Sequence, residues 1–162
     1  MTSEGLSLAD FNELPATIAE EALLACCSAP RWGRAIVAAR PYATTQSLLA
    51  AADATSAALD DAEIDEALAG HPRIGDRPTS AASAREQAGV ADDVRSALTE
   101  GNRAYEAKFG HIYLVCAAGR SGEELLAILR ARLDNDPSTE RQVMRTELAK
   151  INRLRLAGLV AS

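Results

Sequence analysis

The sequence places a histidine where a helix must end. His71 lies in "AGHPRIGDRP" directly before Pro72, and a proline pushes the residue before it out of helical backbone angles. The titratable ring is thus presented at a helix end on a restrained backbone, and one use of that geometry is the wall of a pocket. The alternative is structural, with the ring capping the last carbonyls of the preceding helix. The residue alone leaves both interpretations open.

A second candidate is an arginine on the apolar stripe of the last predicted helix. The stripe consists of Met144, Leu148, Ile151, Arg155 and Leu159, at helical spacing. Arg155 therefore occupies a core position, whereas Arg153 is expected at the solvated surface. A buried guanidinium is costly unless it is paired, so Arg155 either meets an internal carboxylate or faces a pocket for an anionic ligand. Internal pairing or snorkelling is the commoner outcome.

Two further stretches offer polar groups. In "SAREQ", Ser83, Glu86 and Gln87 are three and four residues apart, so they can share one helix face and hydrogen-bond a polar heterocycle. A solvated polar face is the common alternative. In "FGHIYL", an extended run follows Gly110. Its main-chain N–H groups need partners if they are buried, and a ligand could supply one, while His111 could be a loop residue at the rim.

The elements that position these residues are predicted to be helices. Hydrophobic residues make up 48% of the 162 residues and aromatic residues only 4%, and the abundant Ala and Leu favour helices over strands. We expect an all-α fold, one domain over residues 1–162, with about seven to nine mostly short helices. Ser7 and Ser121 are predicted caps. "HIYLVCAA" is the one strand-like run and is predicted to be a buried extended connector.

Charge and cysteine content exclude several classes of protein. The net charge of −6 argues against a broad nucleic-acid surface. No apolar run approaches the ~20 residues of a membrane helix, and the N-terminus lacks the features of a secretory signal, so a cytoplasmic location without membrane partners is expected. The three cysteines (Cys26, Cys27 and Cys116) form neither a disulfide framework nor a zinc motif and are expected to be small buried residues.

Four motifs together resemble a known family. "GHPRIGD", "SAREQAG", "GNRAYEAKFGHIYLVCAAGRS" and "INRLRLAGL" occur in this order, and the chain is similar over essentially its whole length to 2-oxo-4-hydroxy-4-carboxy-5-ureidoimidazoline (OHCU) decarboxylases. The resemblance implies an all-helical carboxy-lyase that converts OHCU, a small ureidoimidazoline, to (S)-allantoin in urate degradation. It implies no cofactor and no metal, and it favours a homodimer.

The resemblance also implies roles for individual residues. Its catalytic histidine and glutamate fall on His71 and Glu86. The substrate-binding residues that it implies are Pro72, Ser83, Gln87, His111, Ile112, Tyr113 and Arg155. Three of these, His111 to Tyr113, are implied through main-chain contacts, which tolerate the change from the "FGFPF" of many members to "FGHIY" here.

Two rival functions follow from the same residues. A non-catalytic helical binding or scaffold module explains the Ala and Leu content equally well, but gives no reason for His71, Glu86 and Arg155 to converge. A hydrolase of a related ureide normally uses a metal-activated water. Two histidines without an HxH or HExxH pattern argue against that metal site.

Overall fold

The described part of the protein is mainly helical. The computed structural model describes residues 6–74 and 92–160. The helices in these ranges are α1 (Leu8–Glu13), α2 (Ala16–Leu24), α3 (Pro30–Ala38), α4 (Thr45–Ala58), α5 (Asp61–Leu68), α6 (Asp92–Phe109), α7 (Gly122–Arg132) and α8 (Pro137–Leu159). The only β pairing found there is an isolated bridge between Leu6 and Val160. The all-α prediction is therefore confirmed.

Short polar side chains fix where the helices begin. The Ser7 hydroxyl accepts the Asp10 N–H at 3.1 Å. Before α7, Ser121 and Glu124 form the reciprocal capping box that their spacing predicts. The boxes at Thr44 and Asp60 are built in the same way. Because these side chains satisfy N–H groups that a first turn leaves unpaired, the starts of the helices could be predicted from local sequence.

The described chain divides into two compact units. The first comprises Met1–Gly70 and Ala149–Ser162, and within it α3 packs on both α2 and α4. Its core includes Trp32, whose indole N–H donates to the Ser56 hydroxyl at 3.0 Å. Asn152 donates to the same oxygen at 3.2 Å.

The second unit comprises His71–Leu148. In it α6 packs on α7, closely enough that a Cβ on Gly101 would lie 2.5 Å from a Leu129 methyl carbon. Helix α8 supplies residues 137–148 to this unit and residues 149–159 to the first. The single domain over residues 1–162 stays a prediction.

A buried ion pair organises the second unit. Arg132 is 5% exposed and Glu140 is fully buried, and the guanidinium Nε donates to Glu140 Oε1. Tyr105 donates its hydroxyl proton to the same carboxylate oxygen at 2.8 Å, and burial raises the pKa of Tyr105, which keeps it a donor. Arg132 also donates to the Leu114 carbonyl at 2.6 Å. These contacts satisfy charges that would otherwise be costly inside a core.

We expect Glu140→Ala to lower the free energy of unfolding by about 3–5 kcal/mol, because it leaves the Arg132 guanidinium buried without its carboxylate. Chemical denaturation of the purified protein measures this. Glu123→Ala, at an exposed position in α7, is the control, and its cost should stay below about 1 kcal/mol. Equal, small losses in both variants would show that the ion pair does not hold the unit together.

Candidate active site

His71 follows a helix end that another residue caps. Helix α5 ends at Leu68, and half-buried His71 stands three residues later. The carbonyls of Glu66 and Ala67 accept the Ser28 hydroxyl at 2.8 and 3.1 Å. In the structural alternative for His71, the imidazole would cap these last carbonyls of α5. Here Ser28 donates to two of them, and Ser28 was not identified from the sequence.

The residue before His71 is held close to the same serine. A Cβ built on Gly70 would lie 2.5 Å from Ser28 Oγ and 2.9 Å from Ser28 Cβ. No side chain fits there unless the backbone or Ser28 moves. The absence of a Cβ therefore lets the chain leave α5 at this point and present His71 next.

The residues after His71 are tied to α6 within the second unit. Arg73 and Glu106 form a two-pronged salt bridge, with Nε–Oε2 and Nη2–Oε1 distances of 2.7 and 2.9 Å. This hydrogen bonding from Arg73 is the main cause of the lowered pKa of Glu106. Asn102 donates its amide Nδ2 to the Ile74 carbonyl at 2.7 Å. Two residues of one helix thus hold the stretch that carries His71 and half-buried Pro72.

The second predicted segment leaves α6 through a glycine turn. Gly110 has φ +78°, which a residue without Cβ adopts readily, and residues 111–117 belong to no helix or strand. The ring of half-buried His111 lies edge-on to the Tyr105 ring, with the two ring centroids 5.5 Å apart. Tyr113 is fully buried and donates its hydroxyl proton to the Leu125 carbonyl at 2.8 Å. The stretch lies outside the helices and its central residues are buried, as predicted. That its backbone is extended stays a prediction.

Side chains from other segments form hydrogen bonds with the main chain of this connector. Cys116 donates its N–H to Glu147 Oε1 at 3.0 Å, and the Leu114 carbonyl accepts Arg132. The half-buried Cys116 N–H thus has a partner within the chain, and a ligand as the partner of another N–H here stays a prediction. Half-buried Ile112 offers its carbonyl 3.0 Å from His111 Nδ1.

Arg155 contacts the main chain. Its predicted stripe is buried at Met144, Leu148 and Ile151, whereas Arg155 itself is half-buried. Its Nη1 donates to the Cys26 carbonyl at 3.4 Å. Burial raises the pKa of the Cys26 thiol to about 11 despite the opposing charge of Arg155, so this cysteine stays neutral.

Arg153 is exposed and pairs with Asp53 at 2.5 Å, as expected of a surface position. Cys26 and Cys27 are buried as predicted, whereas Cys116 is half-buried. In the ranges 6–74 and 92–160, no three His, Cys, Asp or Glu residues are placed to hold a metal ion. No helix in these ranges has both the length and the apolar character that crossing a membrane requires.

The predicted site residues are distributed over both units. His71, Pro72 and the His111–Tyr113 stretch belong to the second unit, and Arg155 belongs to the first. Ser83, Glu86 and Gln87 lie outside the described residues. A cavity of about 400 Å³ adjoins the Arg73–Glu106 pair, and its described lining also includes Thr99, Asn102 and Arg103. None of its described lining residues was among the predicted ones.

Comparison with known proteins defines the class of this all-helical protein. The family model described as OHCU decarboxylase matches residues 12–157. A crystal structure of an OHCU decarboxylase in the presence of (S)-allantoin is similar, with a TM-score of 0.77 and 28% identity, covering 88% of this chain and 99% of that one. The chain therefore belongs to the OHCU decarboxylase family.

Other relatives are more distant or longer. The uric acid degradation bifunctional protein TTL of Arabidopsis thaliana is 29% identical over 153 residues, 88% of this chain and 47% of that protein. The OHCU decarboxylase of Amia calva is 39% identical over 59 residues, 36% of this chain and 34% of that protein. The chain thus matches about half or less of the length of these curated relatives. A crystal structure of (S)-allantoin synthase, at 18% identity, shares the fold with a TM-score of 0.76 over 97% of this chain and 54% of that one.

We expect Gly70→Ala to cost about 1–3 kcal/mol of stability, because the added Cβ collides with Ser28 at the helix end before His71. The matched control is Gly158→Ala in α8, where a Cβ would meet nothing within 4 Å. That change should stabilise the protein by about 0.5–1 kcal/mol. Thermal and urea unfolding measure both variants, and a neutral Gly70→Ala would contradict the close packing on Ser28.

Proposed function

We propose that this protein decarboxylates OHCU to (S)-allantoin in urate degradation. The observation that carries the proposal is the family match over residues 12–157. It is supported by the similarity to an OHCU decarboxylase crystallised with (S)-allantoin, nearly all of which this chain covers. The enzyme is proposed to act in the cytoplasm, as a homodimer of one domain per chain.

The proposed reaction needs no cofactor or metal. Loss of CO₂ leaves an electron pair on the ring carbon, and OHCU has its own acceptor for it, a conjugated C=N beside the carbon that bears the carboxylate. The protein must hold that carboxylate out of the plane of the π-system. It must then deliver a proton to one face of the ring, since only one enantiomer of allantoin is formed.

His71 is proposed to exchange the proton with the hydroxyl or the ring of the substrate. Its half-buried position and a reference pKa near 6.5 for imidazole suit this work at neutral pH. Glu86 is the second proposed catalytic residue, orienting the ureido group and setting the protonation of His71. Pro72 restrains the backbone beside the imidazole and contacts the substrate.

Arg155 is proposed to anchor a carbonyl or ureido oxygen of the substrate with directed hydrogen bonds. An arginine that gripped the departing carboxylate would stabilise the reactant and oppose CO₂ loss. Ser83 and Gln87 are proposed to fix the heterocycle. The main chain of His111, Ile112 and Tyr113 is proposed to complete the substrate contacts, because an extended segment has polar groups that no helix uses.

This function is tested directly in an assay in which OHCU is generated in situ. Urate oxidase and hydroxyisourate hydrolase supply the unstable substrate, and circular dichroism follows the allantoin that forms. Added protein should accelerate the reaction and yield the S enantiomer. A rate and a racemic product equal to those of the spontaneous reaction would contradict the proposal and favour a non-catalytic helical module.

We expect His71→Asn to lower kcat/KM by about 10²–10⁴-fold, because it removes the acid–base group and keeps a polar side chain. The enantiomeric excess should fall with the rate. Glu66→Gln, at an exposed position in α5, is the control for general effects of mutation on this region. Wild-type rate and chirality in the His71→Asn variant would remove His71 from the mechanism.

For Arg155→Leu we expect at least a tenfold rise in KM with the helical fold intact, since directed hydrogen bonds to the substrate are lost while apolar packing is kept. Arg153→Leu, two residues away on the same helix and exposed, is the matched control and should bind substrate normally. Far-ultraviolet circular dichroism checks the fold. Unfolding of Arg155→Leu alone would instead support a structural role through the Cys26 carbonyl.

A further inference from the structure

One face of α6 holds the chain immediately after His71. Asn102 and Glu106 are four residues apart, so they lie on the same side of the helix. Asn102 binds the Ile74 carbonyl at 2.7 Å, and Glu106 binds the Arg73 guanidinium with both carboxylate oxygens. Asn102 thus holds the main chain of Ile74, and Glu106 holds the side chain of the adjacent Arg73.

The main-chain contact is buried. Asn102 is 2% exposed, and Ile74 is 5% exposed within the core of the second unit. A buried carbonyl needs a donor, and the Asn102 amide supplies it. This hydrogen bond fixes the position of Ile74. It therefore also fixes the direction of the chain three residues after His71.

The side-chain contact is partly exposed and directional. The Arg73 and Glu106 side chains are 51% and 26% exposed, so their charge attraction contributes little to stability. The bidentate geometry, however, restricts how Arg73 can turn. With φ of Pro72 fixed by its ring, few backbone rotations remain between the two contacts and the imidazole.

We infer that Asn102 and Glu106 are positioning residues that set the place of the His71 imidazole for the proposed decarboxylation. The inference rests on the proposed function. Neither residue is assigned a contact with the substrate. Displacement of a catalytic group by about 1 Å can cost on the order of 10²-fold in rate, so a contact with little effect on stability can have a large effect on kcat.

The exposed pair gives the sharper test, because it separates positioning from folding. Glu106→Gln should lower kcat about tenfold, with KM and Tm close to those of the wild type. Arg73→Glu combined with Glu106→Arg rebuilds the pair in reverse and should recover most of the loss. Glu100→Gln, at an exposed position of the same helix, is the control.

A second measurement does not depend on activity. The chain has two histidines, so a ¹³C-labelled sample gives two imidazole signals. Glu106→Gln should shift the His71 signal more than the His111 signal, and Glu100→Gln should shift neither. If the wild type does not accelerate OHCU decarboxylation, the proposed function is wrong. The two imidazole signals still test whether Glu106 sets the position of the His71 ring.

The inference is overturned by either of two results. One is a Glu106→Gln variant with wild-type kcat and an unshifted His71 signal. The other is a loss of kcat that follows a fall in Tm and is not recovered by the reversed pair, because that pattern belongs to a purely structural contact.

Discussion

The structure depends on how it satisfies the main-chain groups that its short helices leave unpaired. A carbonyl or N–H that leaves a helix inside a core needs another partner. Here polar side chains from distant parts of the chain supply it. In the core, Asn102 donates to the Ile74 carbonyl and Arg132 donates to the Leu114 carbonyl. Nearer the surface, Glu147 accepts the Cys116 N–H and Ser28 donates to carbonyls at the end of α5. These contacts let the helices stop where the chain must turn, while the apolar core stays intact.

The same breaks between helices are where the proposed chemistry lies. His71 and Pro72 follow α5, and His111 to Tyr113 follow α6, so these proposed contacts, unlike Arg155 in α8, lie on non-helical backbone. The main chain of such a segment is not committed to the hydrogen bonds of a helix interior. Because the substrate accepts the electron pair itself, the protein must mainly position a proton donor and the groups that hydrogen-bond the substrate. An all-helical fold with rigid breaks can provide both.

Local sequence predicted the helices well, because caps, prolines and apolar spacing act within one turn. The start at Ser121 and the end of α6 at Gly110 are examples. Arg132 was missed, although it follows Leu125 and Leu129 on one apolar stripe, the signal that singled out Arg155. Ser28 and Asn102 could not be found in this way, because their partners are main-chain carbonyls, which every residue has. The roles of Ser83, Glu86 and Gln87 stay predictions, as do those of His71 and Arg155.

We propose that His71 and Arg155 act on one substrate molecule, and a crystal structure of this protein grown with (S)-allantoin would show whether they do. We expect product density within hydrogen-bonding distance of both the His71 imidazole and the Arg155 guanidinium. Product bound away from both side chains, or in contact with Arg155 while His71 points elsewhere, would contradict it.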